Sequence, residues 1–162
     1  MHESERNRLR KKIKWLLLAA ADMAQVGAAV VAIQKDDAIR DVHLERALET
    51  ALVVCYARAF TRSNFMDAPP EYVPSEDDEW LHNMLMEYRH WIYAHTDKKG
   101  GRAASVDFVG GEAAFSETYR PIPEQYFPDI LDLAGRLSAE YHDEAERLAR
   151  ELELEGKGSG TE

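Results

Sequence analysis

The side chains of this chain best suited to chemistry lie together in the run Met86-Glu87-Tyr88-Arg89-His90-Trp91-Ile92-Tyr93-Ala94-His95-Thr96-Asp97, where an arginine precedes a histidine by six positions. A histidine titrates close to neutral pH and can take or return a proton. An arginine offers a permanently charged, planar set of donors that suits a phosphate and the added charge of its transition state. His90, directly after Arg89, adds a second donor, and Tyr93, four positions on along the same helical face, is placed to line a pocket. Lys98, Lys99 and Arg102 follow closely and suit contacts to a nucleic-acid backbone. On one helix, residues six apart diverge by about 120° and stand about 9 Å apart along the axis, so Arg89 and His95 of one chain are not neighbours. Two crossing copies of the helix would set one chain's His95 against the other's Arg89, and that geometry asks for a homodimer. A structural use stays open beside this one. His95 shares the apolar stripe of Leu81, Tyr88 and Ile92, as a hydrogen-bonded core histidine does, and Arg89 has glutamates near it in sequence.

The helix that carries these residues starts at Ser75-Glu76-Asp77-Asp78, which offers a hydroxyl cap and carboxylates at the positive end of the helix dipole. Its apolar stripe is Leu81, Met84, Leu85, Tyr88, Trp91, Ile92 and His95, and Lys98-Lys99-Gly100-Gly101 ends it. Ahead of it, Leu9, Ile13, Leu16, Leu17, Ala20, Met23 and Ala24 predict a first helix over about 5–34. Gly27 inside that helix implies a bend or a close helix contact, and Asp36 and Asp37 mark a turn. Leu44, Leu48, Ala51, Leu52, Cys55 and Ala59 predict a second helix over about 39–60, followed by a loop through Pro69, Pro70 and Pro74. Beyond the motif, the stretch about 102–120 reads as a β-hairpin around Gly110-Gly111 or as an irregular excursion. Pro128 opens a last helix with Ile130, Ala134, Leu137, Tyr141, Ala145 and Leu148 on one face. The expected fold is all-α, an antiparallel four- to five-helix bundle with that short insertion. It forms one domain over 1–153, followed by a flexible tail over 154–162.

Composition narrows the function classes. The 162 residues, 45% hydrophobic and 31% charged, suit one globular domain with a packed core. A formal charge of −10 argues against a broad cationic surface for duplex nucleic acid, so any RNA contact must be local. Cys55, the only cysteine, lies in an apolar run and reads as a buried inert thiol in a reducing cytoplasm. Arg6 to Lys14 followed by Trp15-Leu16-Leu17-Leu18-Ala19-Ala20-Ala21 imitates a signal peptide, but Asp22 breaks the run, which favours a soluble core helix and no membrane partner. His82, His90 and His95 with Asp77 and Asp78 are too widely spread around one helix for a metal site. With no phosphate-binding glycine loop and no nucleophile elbow, neither a metal nor a cofactor is expected.

The Arg89-to-His95 motif, with a polar residue after the arginine and the ending Tyr93-Ala94-His95-Thr96-Asp97, resembles the signature of the HEPN superfamily. The run Cys55-Tyr56-Ala57-Arg58-Ala59-Phe60-Thr61-Arg62-Ser63 is similar to the preceding helix in bacterial members related to phage-defence proteins, so the resemblance covers the middle third of the chain. It implies a metal-independent endoribonuclease of toxin or defence type. Its composite site, with Arg89, His95 and His90, would span a homodimer and leave a 2′,3′-cyclic phosphate. It further implies an RNA substrate and a cognate antitoxin. Some relatives keep the fold without cleavage, so the alternative is a noncatalytic helical interaction or regulatory module, which the acidic composition suits.

Overall fold

Nine apolar residues from Trp15 to Ile33, recurring at spacings of three and four, are buried along one long helix. They form two adjoining stripes rather than one because the helix is covered from two sides. The chain is mostly helical. The computed structural model describes residues 3–35, 41–61, 75–93, 103–109, 112–118 and 121–158. Among these are four α-helices: α1 (Glu3–Lys35), α2 (Val42–Arg58), α3 (Glu79–Tyr93) and α4 (Phe127–Gly158), the last entered through a short 3-10 turn, Glu124–Tyr126. Strands β1 (Ala103–Val109) and β2 (Glu112–Thr118) pair antiparallel, with Val106 opposite Phe115.

Helices α1 and α4 run antiparallel along most of their length. Lys12 meets Glu144 at 3.3 Å, the Trp15 ring meets Tyr141 edge-on at 5.4 Å, and Ser138 donates to the Ala20 carbonyl at 3.1 Å. Gly27 then lies against Leu131, where a Cβ would come within 3.4 Å of a leucine methyl, so of the two roles open to this glycine the close helix contact is observed. On its other side α1 meets α2, again antiparallel, through Asp22 to Arg58 and Gln25 to Cys55. By length and composition alone α1 would span a bilayer, yet 44% of its most apolar window is buried inside the protein.

Asp41 caps α2, its carboxylate accepting the His43 amide at 2.8 Å, so the helix opens at Val42, three residues later than the apolar spacing alone suggests. The Thr61 hydroxyl donates to the Ala57 carbonyl at 2.9 Å and closes the other end. The face α2 buries is Glu49, Leu52, Val53, Cys55, Tyr56 and Ala57, while Leu44 stays 52% exposed. Covered by α1 on one side and α3 on the other, α2 needs a wider face than the single expected stripe. Side chains of all four helices join one core, with Leu52, Leu85 and Leu137 fully inaccessible. Truncating any one of them to alanine costs about 2–5 kcal/mol. Helix α4 runs to Gly158, so 154–158 are helical rather than part of a tail, although Leu154 is 71% exposed and packs on little.

Candidate functional site

The position of the motif is set by what holds α3 at each end. At its start a turn over 76–78 precedes the helix, and Asp78 is buried. The Arg136 guanidinium of α4 donates to both Asp78 oxygens, at 3.0 and 2.7 Å, and the Ser75 hydroxyl donates to the same carboxylate at 2.6 Å. These hydrogen bonds, those from Arg136 foremost, hold the Asp78 carboxyl below the usual aspartate range. The acid that reads in sequence as a helix-start charge is thus a tether between α3 and α4.

In the middle of α3, Leu81, Leu85 and Tyr88 enter the core. His82 is half-buried. Its Nδ1 lies 3.0 Å from the Tyr56 hydroxyl, and its ring stands edge-on to Phe60 at 4.7 Å. Burial lowers its pKa, so the neutral imidazole is favoured. His82, Met86 and Arg89 are all half-buried and share one stripe of α3, with His82 and Arg89 about 10 Å apart along the axis.

At the far end the Tyr88 hydroxyl donates to the Pro121 carbonyl at 3.1 Å. That bond fixes the rotation of the last turns of α3 and with it the direction of the next residues: Arg89 is half-buried and His90 exposed. Among the described residues no ion pair holds Arg89. Tyr93 is the last described residue of α3, one turn after Arg89. His95, Lys98, Lys99 and Arg102 lie outside the described residues. Of the expected site, the structure therefore places Arg89 and His90 side by side on α3, pointing to different surroundings.

A residue that sequence reasoning passed over sits beside this end. Glu49 of α2 is 1% exposed, and its Oε1 accepts the Ile122 amide at 3.1 Å, one residue from the Pro121 carbonyl that Tyr88 holds. Burial raises its pKa to about 7; the Ile122 hydrogen bond opposes that rise and the charge of Glu45 adds to it. The segment entering α4 is thereby pinned from two helices at once. The sign of this in the sequence is that Glu49 falls at the same helical phase as Leu52, Val53 and Tyr56, where a solvated glutamate does not belong.

Two further groups answer questions the composition raises. Cys55 is buried, its Sγ 3.1 Å from the Gln25 amide oxygen and 3.3 Å from Arg58, and burial pushes the thiol pKa up, which suppresses the nucleophilic thiolate. Asp22, the charge inside the apolar run of α1, is paired with Arg58. Among the described residues no three His, Cys, Asp or Glu side chains gather to hold a metal ion, and Asp78 and His82 are engaged by Arg136 and Tyr56 respectively. No protein-family model, curated protein or solved structure matches this chain.

Proposed function

We propose that this chain is a metal-independent endoribonuclease of toxin or defence type, with the HEPN-like arrangement of an antiparallel helical bundle carrying 102–120 as an insertion. Two protomers pair their α3 helices, and one composite site is built from Arg89 of one and His95 of the other. His95 takes the proton of a ribose 2′-hydroxyl as that oxygen attacks the adjacent phosphorus. The bond to the 5′-oxygen then breaks as His95 returns a proton to that oxygen, leaving a 2′,3′-cyclic phosphate and a 5′-hydroxyl. Arg89 carries the charge that gathers on the phosphoryl oxygens, with His90 as a second donor and Tyr93 against the base. Lys98, Lys99 and Arg102 hold the flanking backbone. The setting is the cytoplasm, beside a neutralising antitoxin.

The observation that carries this reading is the tether of Tyr88 to Pro121, which fixes the end of α3 and leaves the adjacent Arg89 half-buried rather than solvated. A preset arginine of that kind suits a phosphate. The test is cleavage of total RNA in excess EDTA by wild type, Arg89→Ala and His95→Ala at matched folding and oligomeric state. Activity in the wild type that is lost by at least about a hundredfold in both variants is expected. An inactive wild type, with variants that lose only stability, overturns it. A specific observation favours a second reading, a noncatalytic interaction module: the basic start of α1 is partly neutralised by α4, Lys12 bonding Glu144, in a chain of formal charge −10.

A further inference from the structure

Among the described residues nothing covers one shared side of α1 and α4, and along it run two hollows. One, of about 480 Å³, is lined among others by Arg10, Lys14, Leu17, Leu18, Leu152 and Glu153. The other, of about 400 Å³, is lined among others by Ala24, Gly27, Leu131, Gly135 and His142. Leu17 and Leu18 are 45% and 56% exposed although they sit in the most apolar run of the chain. Among the described residues nothing lies within 4 Å of where a Gly135 Cβ would stand, so the backbone of α4 is open to close approach there. From Arg10 to Gly27 this side is about 26 Å long, and two helices make it about 20 Å wide. The footprint is therefore about 500 Å² per molecule, or about 1,000 Å² when two such faces meet, which reaches the lower bound for a specific interface.

The charges say what covers it. The α1 wall is cationic at Arg10 and Lys14, and the α4 wall beside it carries Glu153. An anionic lipid surface would be attracted by one wall and repelled by the other. A second copy of the chain, turned about a two-fold axis parallel to the helices, would instead lay its α4 on this α1 and its α1 on this α4. A two-fold axis parallel to the helices keeps every residue at its own level, so α1 meets the partner's α4 antiparallel, with the same levels matched as within one chain. Arg10 then comes within side-chain reach of the partner's Glu153, Leu17 lies over the partner's α4 near His142, and Ala24 meets the open backbone at Gly135. We infer that the α1–α4 face is a self-complementary interface between two copies of this chain.

This inference is independent of the ribonuclease reading. Arg136, through which α4 holds α3, stands about 100° around α4 from Gly135, so pairing through α3 and pairing through the α1–α4 face use different surfaces. The experiment is sedimentation of the full chain over a concentration series, for wild type, Leu17→Glu, Arg10→Glu, Glu153→Arg and an equimolar mixture of the last two. All three positions are exposed, and circular dichroism confirms that each variant keeps its fold. Each single variant is expected to halve the assembled mass and weaken association at least about tenfold. The mixture is expected to restore it, because the mixed dimer then sets opposite charges against each other at both of its two contacts. A wild type and variants of equal mass overturn the inference. So does a mixture that fails to reassociate, and so does a monomeric wild type that floats with phosphatidylcholine–phosphatidylglycerol vesicles.

Discussion

Replacing Glu49 by glutamine should make the protein more stable, and only in one pH range. The Glu49 carboxyl is 1% exposed, and burial lifts its pKa from 4.5 to about 7. The folded state thus binds this proton more tightly than the unfolded chain does. The stabilisation that follows is fully present below pH 4.5, declines as pH rises from 4.5 to about 7, and is gone above that. The shift corresponds to about 3 kcal/mol between the two limits. Glutamine keeps a carbonyl oxygen for the Ile122 amide, which the wild-type carboxylate accepts at 3.1 Å, but it has no charge to desolvate. At pH 5, where only the first part of that loss has occurred, Glu49→Gln should lead by less than about 1 kcal/mol. At pH 8 Glu49→Gln should be more stable by up to about 3 kcal/mol, or about 6–12 °C in Tm for a chain of this length. Glu49→Leu separates charge from hydrogen bonding, since it leaves the Ile122 amide buried without an acceptor and should cost about 1–3 kcal/mol relative to the glutamine variant at either pH. Urea titrations at pH 5 and pH 8 measure all of this. A glutamine variant no more stable than wild type at pH 8 would refute the argument that the buried charge, rather than the hydrogen bond, dominates at this position.

Two other tethers give separable outcomes. Arg136→Ala strips the buried Asp78 of its bidentate donor and should cost about 2 kcal/mol at pH 7; because the pair depresses the aspartate pKa, the difference from wild type should shrink as pH falls below 3.8, as followed by thermal melts across that range. Tyr56→Phe keeps the ring against Phe60 but removes the hydroxyl 3.0 Å from His82, costing about 1 kcal/mol. In the wild type, NMR titration should find His82 protonating below the ordinary value of 6.5, so that its share of stability is lost as pH falls through 6.5.

What was legible in the sequence follows from how local the determinants are. Helices α1 and α4 are long and regularly spaced, so part of their core could be read from spacing, including Leu16, Ala20, Met23, Leu137 and Leu148. The limits of the shorter helices depend on single side chains. Asp41 caps α2, and only the cap's own backbone geometry, not its residue type, tells that it serves. Asp78 looked like a helix-start charge, but a guanidinium 58 residues away in sequence outcompeted that local role. Leu17 looked like core by spacing, yet α4 and α2 already cover the other sides of α1, and Leu17 faces outward. At the motif, the stripe of Leu81, Leu85 and Tyr88 was evident, and the half-buried state of Arg89 was not. Arg89 adjoins Tyr88, whose hydrogen bond to Pro121 joins positions 33 apart.

The polar contacts that sequence could not reveal share one arrangement. Helices α1 and α2, and α2 and α3, pack through apolar side chains, and successive helices are tied by a few partly or fully buried polar groups. Asp22 and Gln25 tie α1 to Arg58 and Cys55 of α2, Tyr56 ties α2 to His82 of α3, Asp78 ties α3 to Arg136 of α4, and Glu49 and Tyr88 clamp the chain just before α4. Apolar stripes tolerate sliding, since a leucine shifted by one turn of about 5.4 Å meets another leucine. A buried carboxylate shifted by the same turn leaves its donor, and for Asp78, whose partner Arg136 is 43% exposed, that loss costs about 2 kcal/mol. The apolar residues therefore supply most of the stability, whereas Asp78 and Glu49 select the register. Because Tyr88 belongs to the same clamp, the register that they select is also the one that presents Arg89.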